Sequence, residues 1–254
     1  LDHGAKVVLM SHMSDKMGTL QPVYAYLKTK IHVSFVDDIA GTKAREEAGK
    51  LGNGTALLLQ NIRRDAREEA NDEGFARELA SLADIYVNDA FPVSHRAHAS
   101  VVGVSKLLPS YAGFQLVAEV EGLSPALSPE SPSLAIVGGA KLVTKVKLIE
   151  TLLSKYDYVF VGGAIVNDFY RAKGYEVGKS LVSGADHAKP MLTNSKIILP
   201  NELIVLNPAG SHETVATEVG AEDVIIDISP TAIQKLAPIV AKSKSILWNG
   251  PMGN

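Results

Sequence analysis

Short apolar runs alternate with amphipathic stretches along most of the chain. In the first half, KVVLMS (6–11), IHVSFVD (31–37), TALLLQ (55–60) and DIYVND (84–89) are predicted strands. Between them QPVYAYLKTK, GTKAREEAGKL and GFARELASLA place their apolar residues at the helical period. A second series of strands follows: SLAIVG (133–138), DYVFVG (157–162), KIILP (196–200), ELIVLN (202–207), DVIIDI (223–228) and SILWN (245–249). Its predicted helices are LVTKVKLIETLLSK, IVNDFYRAKG, ADHAKPMLTNS and PTAIQKLAPIVAKS. Strands that are apolar at nearly every position must bury both faces. Each series is therefore expected to form a parallel sheet with helices on both sides, an α/β doubly wound layer.

Between the two series, GFQLVAEVEGLSPALSPESPS (113–133) runs from a helical pattern into a connector rich in Ser and Pro, the composition of a domain boundary. The boundary is placed near residue 125. This gives an N-terminal lobe at 1–124, ending in a linking helix at about 113–124, and a C-terminal lobe at 125–254.

Composition contributes mainly exclusions. A net charge of −3 over 254 residues leaves no basic face for a nucleic-acid partner. With no cysteine, disulfides and thiolate-bound zinc are excluded, and a reducing, cytoplasmic compartment is the natural setting. No apolar run reaches the roughly 20 residues needed to cross a bilayer, so no membrane association is expected. LDHGAKVVLMS at the N-terminus lacks the basic n-region of a signal peptide. The chain opens on Leu1 just ahead of a strand and stops at WNGPMGN just after one, so both ends read as cut.

The candidate chemistry lies where strands end. In SPSLAIVGGAKLVTKVKLIE (131–150) a strand, a Gly-Gly turn and a predicted helix follow one another. Gly138 and Gly139 are expected to let the backbone approach a ligand closely, and the helix would offer free amides and a positive dipole end. Lys141 and Lys145, spaced i, i+4, are expected on one face of that helix near its start. Two cations there oppose the dipole, which points to an anion site rather than solvated surface charge. A second Gly-Gly (Gly162, Gly163) and the loop WNGPMG (Asn249, Gly250, Pro251) follow two further strands. Three glycine-bearing loops at strand carboxyl ends describe the ligand crevice of a parallel sheet.

The first half places His12, then Arg63 and Arg64, then His95 and Arg96 after three of its strands, a set suited to small anions. Two other patterns carry nothing. GYEVGKS (174–180) has one residue too few for a phosphate loop and follows a helix, so it reads as a helix cap and turn. His95 and His98 are spaced i, i+3 but lack a third ligand, so no metal site is expected.

Together, VNDAF…HRAHAS, AIVGGAK…K, VGG, GYEVGKSL, ILP, IIDISP and ILWNGPMG occur in the order found in phosphoglycerate kinases, and the chain resembles that family from LDHGAKVVLMSH to its last residue. The resemblance implies two Rossmann-like lobes that close by a hinge, both incomplete here. It implies reversible phosphoryl transfer between 1,3-bisphosphoglycerate and ADP, giving 3-phosphoglycerate and ATP, with Mg2+ accompanying ADP or ATP. It further implies a cytoplasmic, glycolytic, monomeric enzyme whose partners are these small molecules.

Carried over by position, His12, Arg63, His95 and Arg96 would bind phosphoglycerate, with Arg63 and Arg96 also acting in catalysis. Lys141 would stabilise the transferring phosphoryl group and Lys145 would contact nucleotide phosphate. Gly138, Gly139, Gly162, Gly163, Asn249, Gly250 and Pro251 would line the nucleotide cleft.

The chain departs from the family pattern at Asp15, where the family has a substrate-binding arginine, at Thr144, where it has an acid, and at Ser229, where it has glycine. The family's opening arginine loop and closing glycine-rich metal loop would lie outside Leu1 and Asn254, so this stretch alone is expected to have little activity. The alternative is a non-catalytic nucleotide- or phosphate-binding protein on the same fold. The absence of a complete G-x-G-x-x-G disfavours a dinucleotide-dependent oxidoreductase.

Overall fold

The structure is a computed structural model describing residues 1–253. The chain divides into two compact units, Leu1–Gly122 and the residues from Leu123 onward.

In the first unit, β1 (Val7–Leu9), α1 (Gln21–Leu27), β2 (Val33–Phe35), α2 (Thr42–Gly49) and β3 (Ala56–Leu58) build a three-stranded parallel sheet in the order β1-β3-β2. The central strand β3 is buried at every position, which is why its sequence carries no polar alternation. α3 (Ala66–Glu69) and α4 (Glu73–Ala80) follow. The Asp72 carboxylate accepts the Phe75 amide at 2.8 Å and caps α4, whose Phe75, Ala76 and Leu79 face inward. β4 (Tyr86–Asn88) pairs in parallel with β5 (Ser110–Ala112), and α5 (Phe114–Leu123) ends where the units divide.

The second unit holds β6 (Ser133–Val137), α6 (Val146–Lys155), β7 (Tyr158–Val161), α7 (Ile165–Ala172), α8 (Ala185–Ala188), β8 (Ile197–Ile198), β9 (Glu202–Asn207), β10 (Gly210–Val215), β11 (Val224–Ile228), α9 (Pro230–Lys242) and β12 (Ser245–Asn249). Its main sheet is parallel, in the order β12-β6-β7-β8. β6 divides its residues between two cores. Ala135 and Val137 pack with Ile149, Val161 and Phe169 on one face, while Leu134 and Ile136 pack with Phe160 and Leu236 on the other. Each such large side chain, fully buried, contributes about 2 kcal/mol.

Three expectations are corrected. β9 and β11 do not join the parallel sheet. They flank one another in a separate antiparallel sheet, β10-β9-β11, in which β10 was not expected because its Ser211, His212 and Glu213 are all exposed. The stretch 142–155 is not one helix: a 3₁₀ turn at Leu142–Thr144 precedes α6, which starts only at Val146. ADHAKPMLTNS is helical only over Ala185–Ala188 before a 3₁₀ turn that contains Pro190, which has no amide to continue an α-helix.

GYEVGKS is a helix end and turn. Gly174 has φ +84°, and its amide donates to the Arg171 carbonyl at 3.0 Å. Among the described residues no helix is long and apolar enough to cross a membrane, and no cluster of three or more His, Cys, Asp or Glu residues could hold a metal ion.

Candidate functional site

In the second unit the three glycine loops leave adjacent strands, β12, β6 and β7, and hydrogen-bond to one another. The Gly138 amide donates to the Asn249 carbonyl at 2.8 Å, Gly139 to Pro251 at 3.0 Å, Gly162 to Val137 at 2.9 Å and Gly163 to Met252 at 3.1 Å. This close fit accounts for most of the glycines. A Cβ on Gly138 would overlap the Pro251 carbonyl, and one on Gly163 (φ +60°) would lie 2.7 Å from both the Gly139 nitrogen and the Pro251 oxygen. The space that these glycines leave is taken by neighbouring loops rather than held open for a ligand, which corrects the sequence-based reason for them. Gly139 is different: its nearest neighbour to a Cβ is the Lys145 Cε at 3.9 Å. It lines a cleft together with Ala140, Gly163, Ala164, Asp227 and Met252.

The two lysines do not share a helical face. Lys141 is extended (φ −128°, ψ 107°) ahead of the 3₁₀ turn, whereas Lys145 is the residue just before α6. The Thr144 hydroxyl donates back to the Lys141 carbonyl at 2.9 Å, and this backbone satisfaction replaces the helical bond expected there. The Lys145 ammonium donates to the Asn249 side-chain oxygen and ties the start of α6 to the end of β12. Lys141 is exposed and has no carboxylate partner among the described residues. α6 has no side-chain cap and no acid in its first turn, so its free amides and dipole add to the lysine's positive charge.

Two residues that the sequence reading did not single out support this corner. Asp168, fully buried in the first turn of α7, accepts the Ser183 amide at 2.8 Å, the Ser183 hydroxyl at 3.1 Å and the Gly184 amide at 2.6 Å. Ser183 Oγ in turn accepts the Leu142 amide at 2.9 Å. A carboxylate among Ile165, Val166 and Phe169 in the IVNDFY helix was the available signal.

In the first unit, buried Gln60 and Asn61 organise the end of β3. Gln60 accepts the Leu20 amide at 3.0 Å, and Asn61 accepts the Met13 amide at 3.1 Å while donating to the Asp15 carbonyl at 3.0 Å. They pin the loop 13–20 beside Arg63, whose amide donates to the Asn61 side-chain oxygen at 3.2 Å.

His12, Arg63, Arg96 and His98 lie close enough to interact. Partial burial, then the charges of Arg63 and Arg96, hold the His12 imidazole below its ordinary pKa, so it is neutral near pH 7. His98, which sequence reasoning weighed only as a metal ligand, thus belongs to this cluster, whereas His95 is exposed. His98 Nδ1 also lies 3.7 Å from Oε1 of buried Glu68.

A carboxylate also enters the cluster. Glu69 pairs with Lys16 at 2.5 Å and lies 3.8 Å from Arg63 Nε, and its pKa is lowered chiefly by the Lys16 hydrogen bond. Lys16 thus pairs with Glu69 rather than pointing free beside Asp15. Arg64 turns elsewhere, donating to the Met17 and Gly18 carbonyls at 3.1 and 3.2 Å and pairing with Asp37 at 3.3 Å.

The family model "Phosphoglycerate kinase" matches residues 1–254. The chain is 41% identical to the phosphoglycerate kinase of Moorella thermoacetica, covering 100% of this chain and 70% of that protein. It is 39% identical to that of Wolbachia pipientis, covering 98% and 68%. Among solved structures, phosphoglycerate kinase from Coxiella burnetii superposes with a TM-score of 0.83 at 34% identity, covering 98% of this chain and 68% of that one. The Pyrococcus horikoshii enzyme gives 0.87 at 30% identity, covering 98% and 69%. With the glycine loops, the exposed lysine and the Arg/His cluster in place, these matches make the chain a member of the phosphoglycerate kinase family.

Proposed function

We propose that each unit of this chain supplies one anion site for the phosphoglycerate kinase reaction. In the first unit, His12, Arg63 and Arg96 bind the carboxylate and phosphate of 3-phosphoglycerate, with His95 free to close on the ligand from the exposed loop that carries it. In the second unit, the turns at Gly138–Gly139, Gly162–Gly163 and Asn249–Pro251 line the nucleotide cleft, and Lys145 contacts nucleotide phosphate while bound to Asn249.

In the forward direction an oxygen of the ADP β-phosphate forms a bond to the acyl phosphorus of 1,3-bisphosphoglycerate. The bond from that phosphorus to the acyl oxygen breaks, and the carboxylate leaves as 3-phosphoglycerate. No proton needs to move, so alignment and charge neutralisation suffice. Lys141 is placed to stabilise charge on the phosphoryl oxygens in flight, with the free amides at the start of α6 adding to its effect. Mg2+ enters as part of the nucleotide substrate and shields its phosphate charge.

The observation that carries this reading is the exposed Lys141, without a carboxylate partner among the described residues, beside three interlocked glycine loops at the carboxyl ends of neighbouring strands. ATP-dependent turnover of 3-phosphoglycerate, followed by ADP release, tests it. Made in the full-length protein, Lys141→Ala should lower kcat by at least about 100-fold with little change in the KM for 3-phosphoglycerate. Unchanged kcat in that variant would overturn the assignment.

A further inference from the structure

We propose that Asp168 is a positioning residue for the phosphoryl-transfer corner, acting through the Ser183 hydroxyl on the backbone that carries Lys141; this rests on the assignment of Lys141 above. The connection is continuous. Asp168 accepts both backbone amides of the 183–184 segment and the Ser183 hydroxyl proton. Giving that proton away aims a lone pair of Ser183 Oγ at the Leu142 amide, 2.9 Å away. Leu142 is fully buried, directly follows Lys141 and opens the 3₁₀ turn. The same segment also presses on the turn from the side, because a Cβ on Gly184 would lie 2.7 Å from Val143 Cγ2.

The placement of Asp168 is otherwise unfavourable. No lysine, arginine or histidine among the described residues pairs with its carboxylate, and its exposure is 0%. A charge buried without a counter-ion is tolerated only when its oxygens are fully hydrogen-bonded, and an apolar residue at such a site is often as stable or more so. Its neighbours Ile165, Val166 and Phe169 meet the packing needs of the helix. What the carboxylate adds is a rigid backbone immediately beside Lys141. Lys141 needs one, since its long side chain is exposed and no ion pair restrains it.

A loop tie with no functional role would make the same hydrogen bonds. The two readings differ in whether Ser183 and Lys141 are energetically coupled. Titration calorimetry of the full chain with Mg-ATP and Mg-ADP decides between them, using Lys141→Ala, Ser183→Ala, Asp168→Asn and the two double variants that combine Lys141→Ala with each of the others. Lys141→Ala should weaken ATP binding about tenfold, the loss expected for one charge-assisted phosphate contact. Ser183→Ala should weaken ATP about three- to tenfold, and ADP, which lacks the transferring phosphoryl group, less than about twofold.

With alanine already at position 141, the further loss from Ser183→Ala should be less than about twofold. Asp168→Asn, which keeps the shape of the side chain, should behave like Ser183→Ala and covers the case in which that variant does not fold. Losses that simply add in the double variants, or that affect ADP equally, would overturn the proposal and leave Asp168 as a structural tie. Absence of ATP binding by the parent chain, or unchanged ATP affinity in Lys141→Ala alone, would overturn the proposal at its premise that Lys141 contacts the bound nucleotide, while the kcat test above decides the role of Lys141 in the transfer itself. Those results are distinguishable from additive losses because they do not involve residue 168 or 183.

Discussion

The interlocked loops of the second unit allow a sharp test, Gly163→Ala set against Gly174→Ala. Both glycines have positive φ, +60° and +84°, so alanine pays a similar backbone cost at either position, about 1 kcal/mol. Their surroundings differ. A Cβ at residue 174 meets no atom within 4 Å, whereas one at residue 163 meets the Gly139 nitrogen and the Pro251 oxygen, each at 2.7 Å. Both of those atoms are backbone and both are held in hydrogen bonds, so neither can swing aside as a side-chain end would. Overpacking of this kind costs about 1–3 kcal/mol beyond the backbone term.

The chain's single tryptophan, Trp248, lies in β12, and its indole N–H donates to the Gly250 carbonyl at 2.8 Å. Its fluorescence therefore reports unfolding of this unit. With an m-value of about 2 kcal/mol/M, Gly163→Ala should lower the urea midpoint by about 0.5–1.5 M more than Gly174→Ala does. Equal midpoints for the two variants would mean that the loops are not packed against each other as described. Nucleotide affinity should fall only in Gly163→Ala.

Asp15→Arg should strengthen 3-phosphoglycerate binding about tenfold by calorimetry, because Asn61 pins the Asp15 loop beside Arg63 while Lys16 is occupied by Glu69. No gain would mean that residue 15 points away from the ligand. His12, held below its ordinary pKa, should take up a proton when the anion binds, so affinity should rise as pH falls from about 7.5 to about 6. His12→Gln should abolish both this trend and the proton uptake measured in buffers of different ionisation enthalpy. The same lowered pKa fixes the sign for stability. Because the unfolded chain binds that proton more readily, the first unit should lose stability as pH falls through about 6.5 toward the lower folded value, read as a falling urea midpoint by circular dichroism. Lys145→Met removes the tie to Asn249 and should weaken nucleotide binding about tenfold, with less than about 1 kcal/mol change in unfolding monitored at Trp248.

The main sheets could be read from sequence because burial on both faces removes polar residues from their strands. β6 is buried at all five positions, and nothing but a central strand or a buried helix has that pattern. The direction in which β9 pairs is not written in β9. It is set by the Asn207–Gly210 turn, which sends β10 back alongside it, and by exposed polar residues that carry no periodic signal. The break before α6 was hidden for a related reason. Leu142, Val146 and Ile149 keep helical spacing across the 3₁₀ turn, so periodicity alone cannot detect that Lys141 is extended.

In the candidate site the glycine pairs were legible as backbone demands, but a missing side chain does not say what fills its place. Here it is mostly the next loop. Asp168 and Asn61 work by hydrogen-bonding segments 15 and 46 positions away, and no local pattern encodes such partners.

The two proposed anion sites also differ in charge, and the difference has a consequence. In the second unit Lys141 has no carboxylate partner among the described residues, and Lys145 is held by the neutral amide of Asn249. Positive charge there is organised by dipoles and is not neutralised by an ion pair, although the Asp227 carboxylate lines the same cleft. In the first unit the cations share Glu69, which binds Lys16 and lies near Arg63 and His98. A phosphoglycerate carboxylate or phosphate arriving there meets a charge already in place, and part of its attraction is spent against Glu69. That same carboxylate keeps Arg63 from being an unpaired, largely buried cation in the free protein, a state more costly than a paired one. If the cluster binds 3-phosphoglycerate as proposed, Glu69 trades affinity for stability in the first unit. Removing it as Glu69→Gln should move the two properties in opposite directions, tighter 3-phosphoglycerate binding and a lower urea midpoint, whereas a residue of purely structural or purely binding role would move only one.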